Sequence, residues 1–194
     1  MQPLTRDDLL PLEKYAVERA AMRQRVMAHK QNRRLDLGHQ VALYFEDRLT
    51  MQYQIQEMLR VERIFEPDGI QEELDTYNPL IPDGSNWKAT MMVQIEDVEE
   101  RRAALAEMQG IEDRIWMRIG DHPPVTPIAD EDLERDNEEK TSSVHFLRFE
   151  LTPEMVAAAK AGEPISAGVD HPAYRAESGP LPEAVRASLV ADLA

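Results

Sequence analysis

The sequence predicts an α+β fold: one domain with a mostly antiparallel mixed sheet, helices inserted between the strands, and a long N-terminal helical segment over residues 5–34. The chain has 194 residues, of which 42% are hydrophobic and 30% are charged, as in a single globular domain. Helical and strand patterns alternate irregularly, and several strands follow one another directly, which favours α+β over a doubly wound sheet. Because no repeat or low-complexity linker divides the chain, the predicted domain spans residues 1–194.

The N-terminal segment carries helix signals. Thr5 and Asp8 have the spacing of a helix cap with an acidic residue three positions later, and Pro11 restarts the helix as a first-turn proline. The longer helix is expected to reach about Gln31. Its apolar residues recur at helical spacing and leave the arginines on the other side: Leu12, Tyr15, Ala16, Ala20, Met22, Val26 and Met27.

The following segment contains a strand and an ambiguous stretch. Residues Val41–Asp47 are rich in β-branched and aromatic side chains and predict a strand. The next apolar residues fit both the two-residue period of a strand and the spacing of a helix. We predict a helix over about 50–65 because the stretch is long and rich in good helix formers. A short helix over about Ile70–Tyr77 should end before Pro79.

The rest of the chain is predicted to alternate strands with three helices. Asp97 and Glu100 repeat the capping signal, and Gly110 stands where that helix would end. A second helix opens at Thr152 and closes at Gly162, and a terminal helix begins at Pro182. The predicted strands are Ala89–Ile95, Ile115–Ile119, Val125–Ala129, Val144–Leu151 and Ile165–Val169.

Composition excludes several classes of protein. The net charge of -15 argues against a general nucleic-acid binder. The absence of cysteine excludes disulfides, thiolate zinc sites, iron–sulfur ligation and a cysteine nucleophile. No apolar run approaches the length of a membrane span, and Asp7 and Asp8 stand where a signal peptide would be basic. We therefore expect a cytoplasmic protein that does not bind membranes.

The charge is unevenly distributed. A basic segment between Arg19 and Leu35 holds six basic residues and no acidic one: Arg19, Arg23, Arg25, Lys30, Arg33 and Arg34. This segment either docks an acidic partner or lies across the acidic surface of the protein itself, and the second interpretation is the ordinary one.

No established cofactor motif is present, so candidate sites rest on individual residues. The sequence has no glycine-rich phosphate loop, no G-x-S-x-G and no histidine pair at zinc-helix spacing. His145 shares one face of its strand with Leu147 and Phe149, so it is either a hydrogen-bonded core histidine or a ligand or base at a pocket edge. His171 follows a strand, where it either belongs to a turn with Asp170 or faces a cleft.

The candidate metal site combines these histidines with a carboxylate. Glu57 lies on the apolar side of its predicted helix, where an ion pair with an arginine is the ordinary interpretation. The more specific hypothesis is that Glu57, His145 and His171 together bind zinc or iron. The acidic run Asp130–Glu139 lacks the central glycine and ligand spacing of a calcium loop, and we predict that it is solvated.

Four stretches of the sequence resemble an uncharacterised bacterial family, domain of unknown function 3501. They are LYFEDRLTMQYQIQEMLRVERIF, NPLIPDGSNWKATMM, ADEDLERDNEEKTSSVHFLRFEL and VDHPAY, and the similarity runs from Leu4 to the C-terminal helix. Members are often encoded beside rubrerythrin-like proteins and iron–sulfur oxidoreductases, so the resemblance implies a role in peroxide or oxygen-stress metabolism. Any iron–sulfur chemistry would belong to the neighbour, because this chain has no cysteine.

Two functions follow from these observations. The first is a non-enzymatic accessory or binding protein that docks on a redox partner. The second is a small metal-dependent enzyme or metal-binding protein, in which an anionic ligand would be held by Arg48, Arg60, Lys140 and Arg148. Convergence of the candidate residues in one pocket would favour the second function. The sequence leaves open whether the protein is an enzyme and what its oligomeric state is.

Overall fold

The computed structural model describes residues 1–133, 135 and 139–194, and these residues form six α-helices and eight β-strands. The helices are α1 (Leu12–Lys30), α2 (Arg48–Glu62), α3 (Pro67–Tyr77), α4 (Val98–Glu107), α5 (Pro153–Lys160) and α6 (Glu183–Val190). The strands are β1 (Arg34–Leu37), β2 (Val41–Glu46), β3 (Asn86–Val93), β4 (Ile115–Ile119), β5 (Ile128–Ala129), β6 (Val144–Glu150), β7 (Ile165–His171) and β8 (Tyr174–Ser178).

The strands form two antiparallel sheets. The larger sheet has the order β1-β2-β3-β6-β5, and the smaller one has the order β4-β7-β8. This arrangement, with helices between the strands and α1 at the N-terminus, confirms the α+β prediction. The division into two sheets did not follow from the strand patterns, because alternation shows which face of a strand is buried and does not show which strand lies beside it.

Two groups of buried side chains form the interior. The larger group joins the inner faces of both sheets and includes Trp87, Phe149 and Ile115. The smaller group lies beneath the first three helices and consists of Leu4, Met51, Ile55, Leu59, Leu74 and Ile81. In a strand with one buried face, buried and more exposed residues alternate along the sequence. The strand β6 shows this alternation, with His145, Leu147 and Phe149 pointing inward.

The ambiguous stretch after β2 is a helix, as predicted. The carboxylate of Asp47 caps α2 by accepting a hydrogen bond from the backbone N–H of Thr50 at 2.9 Å, and the Thr50 hydroxyl accepts from the Asp47 N–H. The last turn ends at Arg63, which has a left-handed backbone with φ of 57°. In α1, by contrast, only Tyr15 and Val26 are buried, so its apolar face is narrower than the predicted one.

Two strands, β1 and β8, were absent from the prediction. In β1 only Leu35 and Leu37 are buried, and charged residues alternate with them. In β8 most side chains are at least partly exposed, because it is the edge strand that follows the hairpin after His171. Short edge strands contain few apolar residues, so the sequence pattern does not reveal them. They can be recognised as strands only from their hydrogen bonds to the neighbouring strand.

A buried guanidinium ties the C-terminal segment to the beginning of the larger sheet. Arg33 is 2% exposed, and its Nη2 atom lies 2.5 Å from Asp192 Oδ2. It also donates to the carbonyl oxygens of Phe45 and Glu46 and lies 3.4 Å from a carboxylate oxygen of Asp47. Arg33 is therefore a structural residue and is unavailable to an external partner.

Among the described residues, none of the helices combines the length and the apolar character that crossing a bilayer requires.

Candidate metal centre

One group of potential metal ligands is present among the described residues: Glu112, Asp130 and His145. One ligand atom from each lies within 4.8 Å of those of the other two. The three residues come from different places in the fold. His145 is on the inner face of β6, Asp130 follows β5, and Glu112 lies in the 3₁₀ turn after α4.

Asp130 is positioned by its own backbone and by β6. It has a left-handed φ of 50°, which Asp tolerates better than most residues. Its N–H donates to the carbonyl of Phe146 at 2.8 Å, and its Oδ1 atom accepts from the Phe146 N–H at 2.9 Å. Arg135 Nη1 also contacts Oδ1, at 3.1 Å. These bonds leave Oδ2 directed at the imidazole of His145, 2.6 Å from Nδ1.

The contact with Asp130 places a proton on Nδ1 of His145, because a carboxylate only accepts hydrogen bonds. The Ser142 carbonyl also only accepts, and it lies 3.0 Å from Nε2. A metal ion on Nε2, on the side of the ring that faces Glu112, would therefore have to displace the hydrogen bond between Nε2 and this carbonyl. Orientation of an imidazole by a carboxylate on its distal nitrogen is the usual arrangement around metal-bound histidines.

Oxygen atoms surround Nε2 of His145. The Thr141 hydroxyl lies at 2.9 Å, the Ser142 carbonyl at 3.0 Å and Glu112 Oε2 at 3.9 Å. Two atoms that each bind one ion at ~2.1 Å can be no more than ~4.2 Å apart, and ligands at a right angle are ~3.0 Å apart. The separations around Nε2 fall in this range. Glu112 and His145 can therefore share an ion with Nε2 as the nitrogen ligand, while Asp130 orients the ring.

The position of the cluster limits its chemistry. The side chain of His145 is fully buried, whereas those of Glu112 and Asp130 are 11% and 10% exposed. An ion could reach the cluster past the two carboxylates, which are partly exposed. A larger substrate could not contact the imidazole, because the imidazole has no exposed surface. The arrangement suits a bound cation better than turnover of an organic substrate.

Of the predicted metal ligands, only His145 belongs to this cluster. Glu57 lies on α2, where its carboxylate accepts from Arg19 at 2.7 and 2.8 Å and from the Tyr15 hydroxyl at 2.6 Å. Arg60 adds a contact at 3.2 Å. Hydrogen bonds lower the pKa of Glu57 to about 2, with the largest effect from Arg19 and smaller ones from Tyr15 and Arg60. Glu57 therefore forms ion pairs with arginines, which is the ordinary interpretation of its position.

His171 is buried at the end of β7 and uses both ring nitrogens locally. Its Nε2 atom lies 2.9 Å from the Gln109 carbonyl, and its Nδ1 atom accepts from the Ala173 N–H at 3.2 Å. Asp170 points to the opposite face of the strand and pairs with Arg175 at 2.9 Å. The structure does not bring His171 or Glu57 together with His145.

The four predicted ligand-binding cations do not share a pocket either. Arg48 pairs with Asp8 at 2.6 Å, and Arg60 with Glu57. Lys140 is exposed near the cluster. Arg148 points to the face of β6 opposite His145 and is held by Glu131 and Glu150.

Sequence reasoning missed Glu112 and Asp130. The prediction that the acidic run is solvated is wrong at Asp130, which is partly buried against His145, and residues 134 and 136–138 of that run lie outside the described residues. A sequence signal was present for Asp130, which directly follows a strand. Glu112 follows Ile111 but precedes Asp113 and Arg114, so its neighbours in sequence do not distinguish it from a surface carboxylate.

A comparison with protein families matches a family model described as "Protein of unknown function" over residues 3–193. No curated protein matches significantly. Among solved structures, the chain is similar to a novel protein of unknown function from Burkholderia pseudomallei K96243, determined by crystallography at 1.90 Å resolution. That protein is 54% identical, the alignment covers 100% of both chains, and the TM-score is 0.94.

Proposed function

The chain belongs to the family of proteins of unknown function DUF3501, and we propose that it binds a divalent metal ion at Glu112 and His145, with Asp130 orienting the imidazole. The observation that carries this proposal is the set of oxygen atoms around His145 Nε2, at separations that one ion could bridge. One imidazole with carboxylate, hydroxyl and carbonyl oxygens suits zinc, ferrous iron or manganese, and the lack of cysteine disfavours cuprous copper.

The test is metal uptake by protein that carries no histidine tag. The protein is dialysed against chelator, incubated with zinc, with manganese or, without oxygen, with ferrous iron, and desalted before elemental analysis. We expect about one ion per chain, and we expect the bound ion to raise the midpoint of thermal unfolding, since a ligand that binds only the folded state stabilises it.

Variants identify the ligands. Glu112→Gln has nearly the same shape and should lose most of the metal while it remains folded, and His145→Gln should do the same. His39→Gln, on an exposed residue, is the matched control and should retain the ion. Equal uptake by wild type and Glu112→Gln would refute the proposed site. Loss of metal from Glu57→Gln and His171→Gln instead would favour the set predicted from sequence.

A second candidate function, an accessory protein that docks on a rubrerythrin-like or iron–sulfur redox partner, is supported by two cations of the basic segment. Arg23 and Arg25 are exposed on α1, whereas Arg33 is buried and Arg34 pairs with Asp36 at 2.8 Å. Reversing Arg23 and Arg25 to glutamate should slow association with such a partner at low salt and change it little at high salt. Reversal of Arg118 and Arg175 on the smaller sheet is the control, and equal effects of both pairs would exclude docking through α1.

A further inference from the structure

A second concave site lies on the face of β6 opposite His145. It is a cleft of about 620 Å³ between the segment at the end of α3, the residues after Asp130, and strands β3 and β6. Phe146 and Arg148 point into it from β6, and Lys88 is the cross-strand partner of Arg148 on β3. The alternation of side chains along β6 separates this cleft from the metal centre.

Lys88 is the unusual residue of the cleft. Its ammonium group donates to the carbonyl oxygen of Pro79, and among the described residues it forms no ion pair with a carboxylate. Burial lowers the pKa of Lys88 and Arg148 lowers it further, while the charges of Asp83, Glu131 and Glu150 act in the opposite direction. The main cost of the ammonium group is therefore its partial desolvation, and an anion bound in the cleft would offset that cost.

The other cations of the cleft are already neutralised. Arg148 is held by Glu131 at 2.6 and 2.7 Å and by Glu150 at 2.5 Å. Arg135 contacts Asp132 at 2.5 and 2.7 Å. Lys88 thus offers a single positive charge next to several carboxylates. Those carboxylates would repel a dianion such as a phosphate monoester, so the site suits one negative charge.

Part of the lining of the cleft is apolar. Tyr77, Leu80 and Phe146 contribute to it, and the guanidinium of Arg135 lies 4.6 Å from the centre of the Phe146 ring. Leu133, which is 56% exposed, also lines the cleft. Small-molecule sites commonly combine such apolar walls with a few polar groups that fix orientation.

We propose that this cleft binds a small organic monocarboxylate with an apolar tail, its carboxylate on Lys88 and its tail against Leu80, Leu133 and Phe146. The proposal does not depend on the metal centre.

The first experiment compares four probes by titration calorimetry at low salt and neutral pH. Octanoate carries both features, acetate lacks the tail, octanol lacks the charge and octyl phosphate carries a second charge. Octanoate should bind saturably, at least about tenfold more tightly than each of the others, because each lacks the charge or apolar contact or adds repulsion. Equal affinity for octanol would show an apolar groove without an anion site and would overturn the proposal, as would tighter binding of octyl phosphate.

The second experiment uses variants. Lys88→Met keeps the apolar stem and removes the charge, and it should weaken octanoate binding about tenfold or more. Lys14→Met, an exposed lysine on α1, removes the same charge elsewhere and should leave binding unchanged. In NMR spectra of dimethylated lysines, octanoate should raise the pKa of Lys88, which a purely structural lysine would not show. Equal losses in both variants, or a Lys88 pKa insensitive to octanoate, would overturn the assignment.

Discussion

The Nδ1 atom of His145 lies 2.6 Å from the Oδ2 atom of Asp130, although the two residues are 15 positions apart in the chain. This contact closes the acidic segment onto β6 and fixes which imidazole nitrogen faces Glu112. The same carboxylate accepts from the Phe146 N–H and from Arg135, so its orientation does not depend on a metal ion. The histidine is thereby oriented in advance for a ligand on Nε2.

Asp130→Asn should weaken metal binding while the protein stays folded. Asparagine accepts the left-handed backbone at this position but cannot hold the Nδ1 proton as a carboxylate does. Loss of such an orienting partner lowers metal affinity roughly 10- to 100-fold. Competition with a chelator of known affinity measures the change. Asp36→Asn, on an exposed carboxylate that pairs with Arg34, is the control, and an unchanged affinity in Asp130→Asn would show that Asp130 does not support the ligand.

Glu57 should make a pH-dependent contribution to stability. Arg19, together with Tyr15 and Arg60, lowers its pKa from 4.5 to about 2 in the folded protein. A carboxyl whose pKa is lower when folded stabilises the protein above its unfolded pKa, and this contribution is lost as the pH falls from about 4.5 towards 2. Urea unfolding of wild type and Glu57→Gln should therefore differ at pH 7 and converge at low pH.

The control for this prediction is Glu13→Gln, on an exposed residue of α1. It should cost little at any pH, since exposed carboxylates contribute little to stability. A wild-type advantage over Glu57→Gln that stays constant from pH 7 to 2 would contradict the assigned role of the ion pair.

Arg33→Met should be among the most destabilising single substitutions in the chain. It leaves Asp192 and Asp47 buried without their guanidinium, and breaking a buried pair in this way costs about 3–5 kcal/mol. The double variant Arg33→Met with Asp192→Asn should recover part of this loss. Chemical unfolding of the two single variants and the double variant gives the coupling energy, and strictly additive effects would mean that the pair contributes no interaction of its own.

We also expect one cooperative unfolding transition for residues 1–194. Elements of the larger sheet extend from Arg34 to Glu150 and those of the smaller from Ile115 to Ser178, so the two sheets overlap in sequence. Arg33 further joins the start of the chain to Asp192. Calorimetric and van't Hoff enthalpies should agree. Two resolved heat-absorption peaks would instead indicate two units.

The sequence was informative where local chemistry determines structure. The strand Ile115–Ile119 has the predicted bounds, and α4 begins after Asp97, which accepts from the Glu100 N–H as its capping pattern indicated. The division into two sheets was not predictable, because it depends on which strands pair. The strand β4 belongs to the smaller sheet since it pairs with β7, which lies far from it in sequence. For the same reason His145 could be recognised as buried, but its partners Glu112 and Asp130 could not.

The alternation of side chains along β6 has a further consequence for insertions and deletions. His145, Leu147 and Phe149 face the core, and Phe146 and Arg148 on the other face line the cleft beside Lys88. Adding or removing one residue between His145 and Arg148 would shift the alternation on one side of the change only, so that the two side chains would come to lie on the same face. Point substitutions can therefore alter either site alone, whereas such a change in the length of β6 would remove the central side chain from at least one of the two sites.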